Sequence, residues 1–279
     1  MYVTKHIDWL SFTTKNPAHP RDVLPLLRWT LLGRGHHGYA AHYASNIPGI
    51  DAEMDSANSE MGISYRFSGD GLAELRRQQG STDDGLVRHL VRLGGKASRI
   101  DLTINVHEGQ LTPRTVRDAV RSGAAKPKAN VSRFIEGKSG DVEGDTFYIG
   151  SPASDRQFRA YNKAAELGLV NGQAWLRLEL ELRRVRANGA FQSVASNGVE
   201  ATVSGHMADF LDWRNVEYRT ALQGPSVAPI DIPRRDTNRQ RWLLGQVASA
   251  LAKEMMLNDE FANKFWASTL EELRKLKET

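Results

Sequence analysis

No cysteine occurs among the 279 residues, which excludes a disulfide framework, a thiolate zinc site and a cysteine nucleophile. The absence fits a reducing compartment. No run approaches the ~20 apolar residues that a membrane helix needs, and the start, MYVTKHIDWLSFTTK, has no apolar stretch behind a basic head. A soluble, cytoplasmic protein without membrane contact is expected. A strong charge of one sign is also missing. The net charge is +4 at a pI of about 9.3, so an anionic partner must be met by local basic patches rather than by a global field. There is no short internal repeat and no low-complexity tract. The hydrophobic share of 40% and charged share of 25% are those of a globular chain, long enough for one large domain or two modest ones.

Three segments between Arg99 and Arg184 stand out: SRIDLTINV, DTFYIGSPASDRQFRAYNK and AWLRLELELRR. Each alternates apolar with polar residues, the period of a strand with one face buried and the other wet. The expected wet faces carry Arg99, Asp101, Thr103 and Asn105; then Tyr148, Arg159, Tyr161 and Lys163; then Arg177, Glu179, Glu181 and Arg183. If the strands are neighbours, one sheet face gathers carboxylates, tyrosines and basic groups, the equipment for cutting a phosphodiester bond.

Elsewhere, residues 4 to 13 read as a first strand with Ile7 and Trp9 toward a core and Asp8 near the other face. The spacing predicts a helix from Arg21 to Leu32, a strand at Ile63 to Phe67, a helix from Ser81 to Leu93 and a helix capped by Thr112 with Pro113 at its first position. His36 and His37 are consecutive and set among glycines, so they read as a glycine-rich loop rather than as paired metal ligands. Lys126, Lys128, Arg133 and Lys138 surround Phe134, as in a solvated hairpin or a DNA-facing segment where cations meet phosphates and a ring stacks on an unpaired base. The proline-bearing connector 223–241 holds the basic cluster Arg234, Arg235, Arg239 and Arg241, and separates a main domain, 1–222, from a C-terminal helical region, 242–279. The terminal helices read as a hairpin that packs on the main domain or on a second copy, which makes a homodimer one expected assembly.

Alternating charges on a strand often serve as cross-strand ion pairs. Asp101, however, lies between Ile100 and Leu102 in a segment apolar enough to be central, and a carboxylate there is costly unless paired or bound to a cation. Carboxylates from separate strands suit Mg²⁺ or Mn²⁺. Attack on a phosphate by water would make a plain nuclease, and attack by a tyrosine a covalent intermediate. Tyr148 and Tyr161 both qualify by position.

The same residues resemble the replication initiation factor family, the Rep_trans-type initiators of rolling-circle plasmids and filamentous phages. Its pattern of R-x-D, then Y-[IF]-G-S-x-x-S-x-x-x-x-R-x-Y-x-K, then W-x-R-x-E is matched in order by Arg99 to Asp101, by Tyr148 to Lys163, and by Trp175, Arg177 and Glu179. GYAAHY and GISYRFSGDG extend the likeness over residues 5 to 190. The resemblance implies a site-specific DNA nickase that attacks one origin strand through a tyrosine and forms a 5′-phosphotyrosyl link. A free 3′-OH is left to prime synthesis, and a host helicase and polymerase are the partners implied. It further implies Asp101 with Glu179, and Glu181, as metal ligands, and Arg159, Lys163 and Arg177 as phosphate-neutralising groups. Tyr148 is preferred as nucleophile for its place near a strand end, while Tyr161 lies between two cations that would favour its phenolate. A departure is Asn105, where the family often carries a second acid. A relaxase using the same chemistry, a metal-dependent nuclease without a covalent step, and a non-catalytic origin-binding or regulatory protein are the alternatives. The expected fold is α+β: a curved, mainly antiparallel sheet with helices on one face and a C-terminal helical hairpin.

Overall fold

Leu176, Leu178, Leu180 and Leu182 occupy alternate positions of one strand and are all buried, so this strand must sit inside a sheet with one face against helices. A computed structural model shows that arrangement. It describes residues 2–15, 19–56, 61–137, 144–169, 174–214, 216–223, 228 and 248–277. The chain divides into two compact units, Met1–Ile232 and Pro233–Thr279.

The first unit is built on strands β1 (Tyr2–Thr14), β2 (Trp29–Gly33), β3 (Tyr39–Ser45), β4 (Ile50–Ser56), β5 (Ile63–Phe67), β6 (Lys96–His107), β7 (Ala125–Pro127), β8 (Ser132–Ile135), β9 (Thr146–Ile149), β10 (Arg156–Asn162), β11 (Trp175–Arg183) and β12 (Leu211–Trp213). Ten of them form an open antiparallel sheet in the order β2-β3-β4-β5-β1-β6-β11-β10-β9-β8, and β12 pairs with β7. The helices are α1 (Pro20–Val23), α2 (Gly69–Gln79), α3 (Asp83–Arg92), α4 (Pro113–Ser122), α5 (Lys163–Glu166), α6 (Arg184–Asn197), α7 (Val199–Phe210) and α8 (Val216–Gln223). The α+β fold with a large antiparallel sheet is as expected.

The core lies on the face formed by Ile7, Leu10 and Phe12 of β1, Ile100, Leu102 and Ile104 of β6, and the β11 leucines. Helix α6 packs across β6 and β11, bringing Ala187, Ala190, Phe191 and Val194, and α7 packs on β1 with Val203, Met207 and Phe210 buried in the same core. Each fully buried leucine or phenylalanine contributes about 1.5–3 kcal/mol, so this face holds the sheet and leaves the opposite face free for polar groups.

The expected helix from Arg21 to Leu32 is corrected. Only Pro20–Val23 is helical, and Trp29–Gly33 forms an edge strand paired with β3. Pro25 disfavours helical backbone at Leu24 and offers no N–H, so the helix stops there despite its apolar spacing. The helices α3 and α4 fall where capping residues placed them: Thr82 and Thr112 accept backbone N–H bonds from Gly85 and Thr115.

His206 of α7 is buried, and its Nε2 has no hydrogen-bond partner among the described residues. Burial drives its pKa down to about 4 against the pull of Asp209, with Arg186 and Arg156 adding to the fall. The folded protein keeps this imidazole neutral while the unfolded chain protonates it below its ordinary 6.5, so stability is full above that pH and lost as pH falls toward about 4. Chemical denaturation at about pH 7 and about pH 4.5 should show a loss of about 2–3 kcal/mol that His206→Gln removes. Equal slopes in both proteins would discard this account.

The second unit contains α9 (Ala248–Leu257) and α10 (Asp259–Lys277), joined at Asn258, whose side-chain oxygen accepts the Phe261 N–H (3.0 Å). Phe261 and Phe265 stack on α10 with centroids 6.3 Å apart. Among the described residues no helix is long and apolar enough to cross a membrane.

Candidate active site

Pairing of β6, β11, β10, β9 and β8 sets the residues of the polar face side by side. Opposite Asp101 stands Glu181, opposite Thr103 stands Glu179, and opposite Asn105 stands Arg177. Across the next pair, Arg159 faces Glu179 and Tyr161 faces Arg177. Tyr148 then faces Arg159 on one side and Arg133 on the other. The carboxylates, tyrosines and cations anticipated from the alternation therefore do share one face.

That face is not wet at its centre. Glu179 is 0% exposed and Asp101 1%, and a charge so desolvated must be compensated. The compensation is arginine. Arg99 donates through Nε and Nη2 to both oxygens of Asp101 (2.9 and 2.6 Å), and the same Nη2 lies 3.3 Å from Glu181 Oε2. Arg159 bonds Glu179, and Arg183 bonds the other oxygen of Glu181. Burial pushes the Asp101 carboxyl up, Glu179 and Glu181 add to the rise, and Arg99 opposes it. Although burial disfavours a charged Arg159, the Glu179 carboxylate keeps it firmly protonated.

Asp8 completes the set and is absent from the sequence-based site. A register shift between Ile7 and Trp9 leaves Asp8 as the extra residue of a β-bulge, and bulges re-aim side chains in this way. Its Oδ1 accepts from Arg177 Nη1 (2.8 Å) and lies 3.5 Å from His6 Nε2. Burial alone would raise its pKa, but the His6 hydrogen bond and the charges of Arg177, His6 and Lys163 hold it at about 2. Arg177 donates through Nε to Asn105 Oδ1 (2.9 Å). The carboxylate missing at Asn105 is thus supplied from β1, through a shared arginine. Gly69 at the start of α2 lies so close that a Cβ there would stand 2.8 Å from Asp8 Oδ1. The first glycine of SGDG makes room for this carboxylate, and the second lets α2 approach Gly49 and Ile50.

Several expectations are revised. The segment from Asp145 to Lys163 forms two strands, with Tyr148 on β9 and Arg159 and Tyr161 on β10. Lys163 leaves the sheet altogether, opens α5 and pairs with Glu166, because Asn162 caps the chain there by accepting from Ala164 and Ala165 N–H groups. Tyr161 is not poised as a phenolate. Burial raises its pKa, Glu179 raises it further, and its hydroxyl donates to Glu179 Oε2 at 3.3 Å. Tyr148 makes no hydrogen bond with any described residue through its hydroxyl; Arg133 stacks on its ring, 5.0 Å from the centroid. Tyr148, Arg159 and Tyr161 together line a pocket of about 350 Å³ with Thr146, Asn162 and Ala165.

The basic segment divides. Lys126 is exposed on β7, Lys128 pairs with Asp209, and Arg133 stands beside Tyr148. Phe134 is packed against the core, with Arg117 4.5 Å and Arg114 5.9 Å from its ring, so arginines already lie over the ring proposed to stack on a base. Lys138, Arg234, Arg235, Arg239 and Arg241 lie outside the described residues. His36 pairs with Glu53 at 2.9 Å rather than acting with His37.

The implied divalent ion can be tested against these donors. Asp101 and Glu181 converge on one cation, but that cation is Arg99 Nη2, and Glu179 is closed by Arg159. The Thr103 hydroxyl is buried with no partner among the described residues, but it adds no charge. Among the described residues no three His, Asp or Glu side chains are placed to hold one metal. As folded, the residues do not fit the ion.

Residues 95–214, from β6 through β12, match the family model described as Replication initiation factor (Rep_trans). A solved structure, the rolling circle replication initiator protein from Geobacillus stearothermophilus, has a similar fold at a TM-score of 0.66 and 22% identity, covering 86% of this chain and 92% of that one. No curated protein matches the sequence. Apart from Asp8 and His6, the residues of the polar face therefore lie within the stretch that carries the replication initiation factor match, and the resemblance read from Arg99, Asp101, Tyr148 to Lys163 and Trp175 to Glu179 holds.

Proposed function

We propose that this protein initiates rolling-circle replication by nicking one strand of origin DNA through Tyr148 and holding the 5′ end as a phosphotyrosine. The observation that carries the reading is the position of Tyr148: a hydroxyl that bonds no described residue, flanked in register by Arg133 and Arg159, at a pocket on the buried polar face. The family match and the likeness in fold support the general role.

In this mechanism Arg133 and Arg159 draw the scissile phosphate against Tyr148 and neutralise the charge that grows on its non-bridging oxygens, the electrostatic part of catalysis. The Tyr148 oxygen forms a bond to phosphorus as its proton passes to solvent. The P–O3′ bond breaks, and the departing 3′ oxygen takes up a proton. The phosphotyrosyl link conserves the bond for rejoining when a 3′-OH attacks it in reverse. Glu179 fixes Arg159 and Tyr161, while Asp8 and Asn105 fix Arg177, so the cations are held before DNA arrives. Lys163, in α5, contributes positive charge near Asp8. Mg²⁺ or Mn²⁺ is the cofactor the resemblance implies; the carboxylates are closed by arginines here, and no step above passes through it. The nicking domain is 1–222, with the basic connector 223–241 and the C-terminal region 242–279 outside it. Lys126 and Lys128 extend the DNA path, the free 3′-OH serves the host polymerase, and a helicase opens the duplex.

A second reading has one observation in its favour. The Tyr161 hydroxyl already bonds a carboxylate, Glu179, that can act as its base. Its burial and raised pKa place it second.

Incubation with a pool of single-stranded DNA of randomised sequence and Mg²⁺ or Mn²⁺ should give an SDS-stable protein–DNA species. Cleavage without an adduct would indicate a plain nuclease. Binding without cleavage would indicate a non-catalytic origin-binding protein.

A further inference from the structure

The pocket beside Tyr148 is larger than nicking alone requires. Its volume of about 350 Å³ lies in the ~300–1,000 Å³ range of small-molecule sites. Attack needs only a phosphate between Tyr148 and Arg159. That phosphate carries a nucleoside on each side, and the pocket begins where the phosphate would sit, since Tyr148 and Arg159 are part of its wall.

We infer that this pocket receives one unpaired nucleotide flanking the scissile phosphate, so that a base is read at the point of cleavage. The inference rests on the nickase reading and deepens it by naming a substrate subsite. Four features fit such a ligand. Tyr161 presents a ring that Arg159 covers on one side, 5.3 Å from its centroid, and its hydroxyl is tied to Glu179, so this aromatic wall is fixed before the ligand enters and a base meets its remaining surface. Asn162 gives its side-chain carbonyl to the N–H groups of Ala164 and Ala165, which leaves its NH₂ as a donor for a base or sugar oxygen. Thr146 offers a hydroxyl that bonds no described residue. The two carboxylates of the wall are already neutralised, Asp145 by Arg114 and Glu166 by Lys163, so they do not repel a nucleotide phosphate held by Arg159. A base enters such a site only when unstacked, which single-stranded or hairpin DNA permits at little cost. Specificity at this position then comes from pocket shape and these polar groups, in addition to the basic segments.

The test uses deoxynucleoside 5′-monophosphates as probes, with 2-deoxyribose 5-phosphate as the base-less control and a single-stranded homopolymer oligonucleotide as competitor. Binding to the full chain is followed by backbone amide NMR. The monophosphates should shift the amides of Thr146, Asn162 and Ala165, and at least one should bind roughly tenfold more tightly than the base-less control, the scale of one base–aromatic contact. The oligonucleotide should displace it. In Ala165→Phe, which fills the pocket, nucleotide and sugar phosphate should bind alike. Thr146→Phe fills it from β9 and serves if the first variant does not fold. Equal binding of nucleotide and base-less control by the unmodified protein would overturn the inference. So would discrimination that survives both fillings, or a nucleotide that DNA does not displace. These are non-covalent measurements. A protein that forms the DNA adduct yet fails them loses only the subsite, whereas a missing adduct strikes the nickase reading itself.

Discussion

Tyr148→Phe is expected to lower the rate of covalent adduct formation by at least about 10⁴-fold, the scale on which removing a nucleophile acts, with little change in DNA affinity. The ring and its contact with Arg133 remain, and the hydroxyl bonds no described residue, so the fold loses nothing. Tyr161→Phe is the matched control. It removes one hydrogen bond to the Glu179 carboxylate (3.3 Å) and should slow the reaction by no more than about thirtyfold, from a slightly less ordered Arg159. Quantifying adduct on SDS gels over time for both variants separates the two tyrosines. The reverse order of effects would make Tyr161 the nucleophile with Glu179 as its base.

The second large effect is on stability. Arg99→Gln leaves Asp101 buried without its bidentate partner and removes the nitrogen shared with Glu181. Breaking a buried ion pair from one side costs about 3–5 kcal/mol. Because the Arg99 side chain is 31% exposed, about 3 kcal/mol is expected. Adding Asp101→Asn should recover most of that loss, because no uncompensated charge then remains. Urea denaturation of the two proteins checks it. A single variant within 1 kcal/mol of the unmodified protein, on the order of a surface substitution, would mean that Arg99 is not the compensating charge. The same variant bears on the metal. With the guanidinium gone, Asp101 and Glu181 face each other across two strands with no cation between them.

The strand that was easiest to read, WLRLELELR, formed as expected because strict alternation puts four leucines on one face and has no other stable placement. The positions of Asp101, Glu179 and Arg159 on a common face followed from that period. What alternation could not reveal was depth. Charged side chains at period two are usually solvated, and the burial of Glu179 is due to Arg159 reaching across from the neighbouring strand. Asp8 was hidden for a different reason. It meets Arg177 from 169 residues away, and a bulge rather than a period aims it. The trace it left was a carboxylate inside the apolar run IDWL. Lys163 was misplaced because the alternation runs on smoothly past Asn162, although an Asn followed by KAAE is a helix cap. At residues 21–32 the apolar spacing was genuine, but Pro25 outweighed it.

If the β9–β10–β11–β6 face cuts DNA through Tyr148, that residue carries the 5′ end of the nicked strand. Mass spectrometry of the digested covalent adduct tests it most directly. The nucleotide-bearing peptide should contain Tyr148, with the phosphate on its phenolic oxygen. A nucleotide carried by any other residue would contradict it.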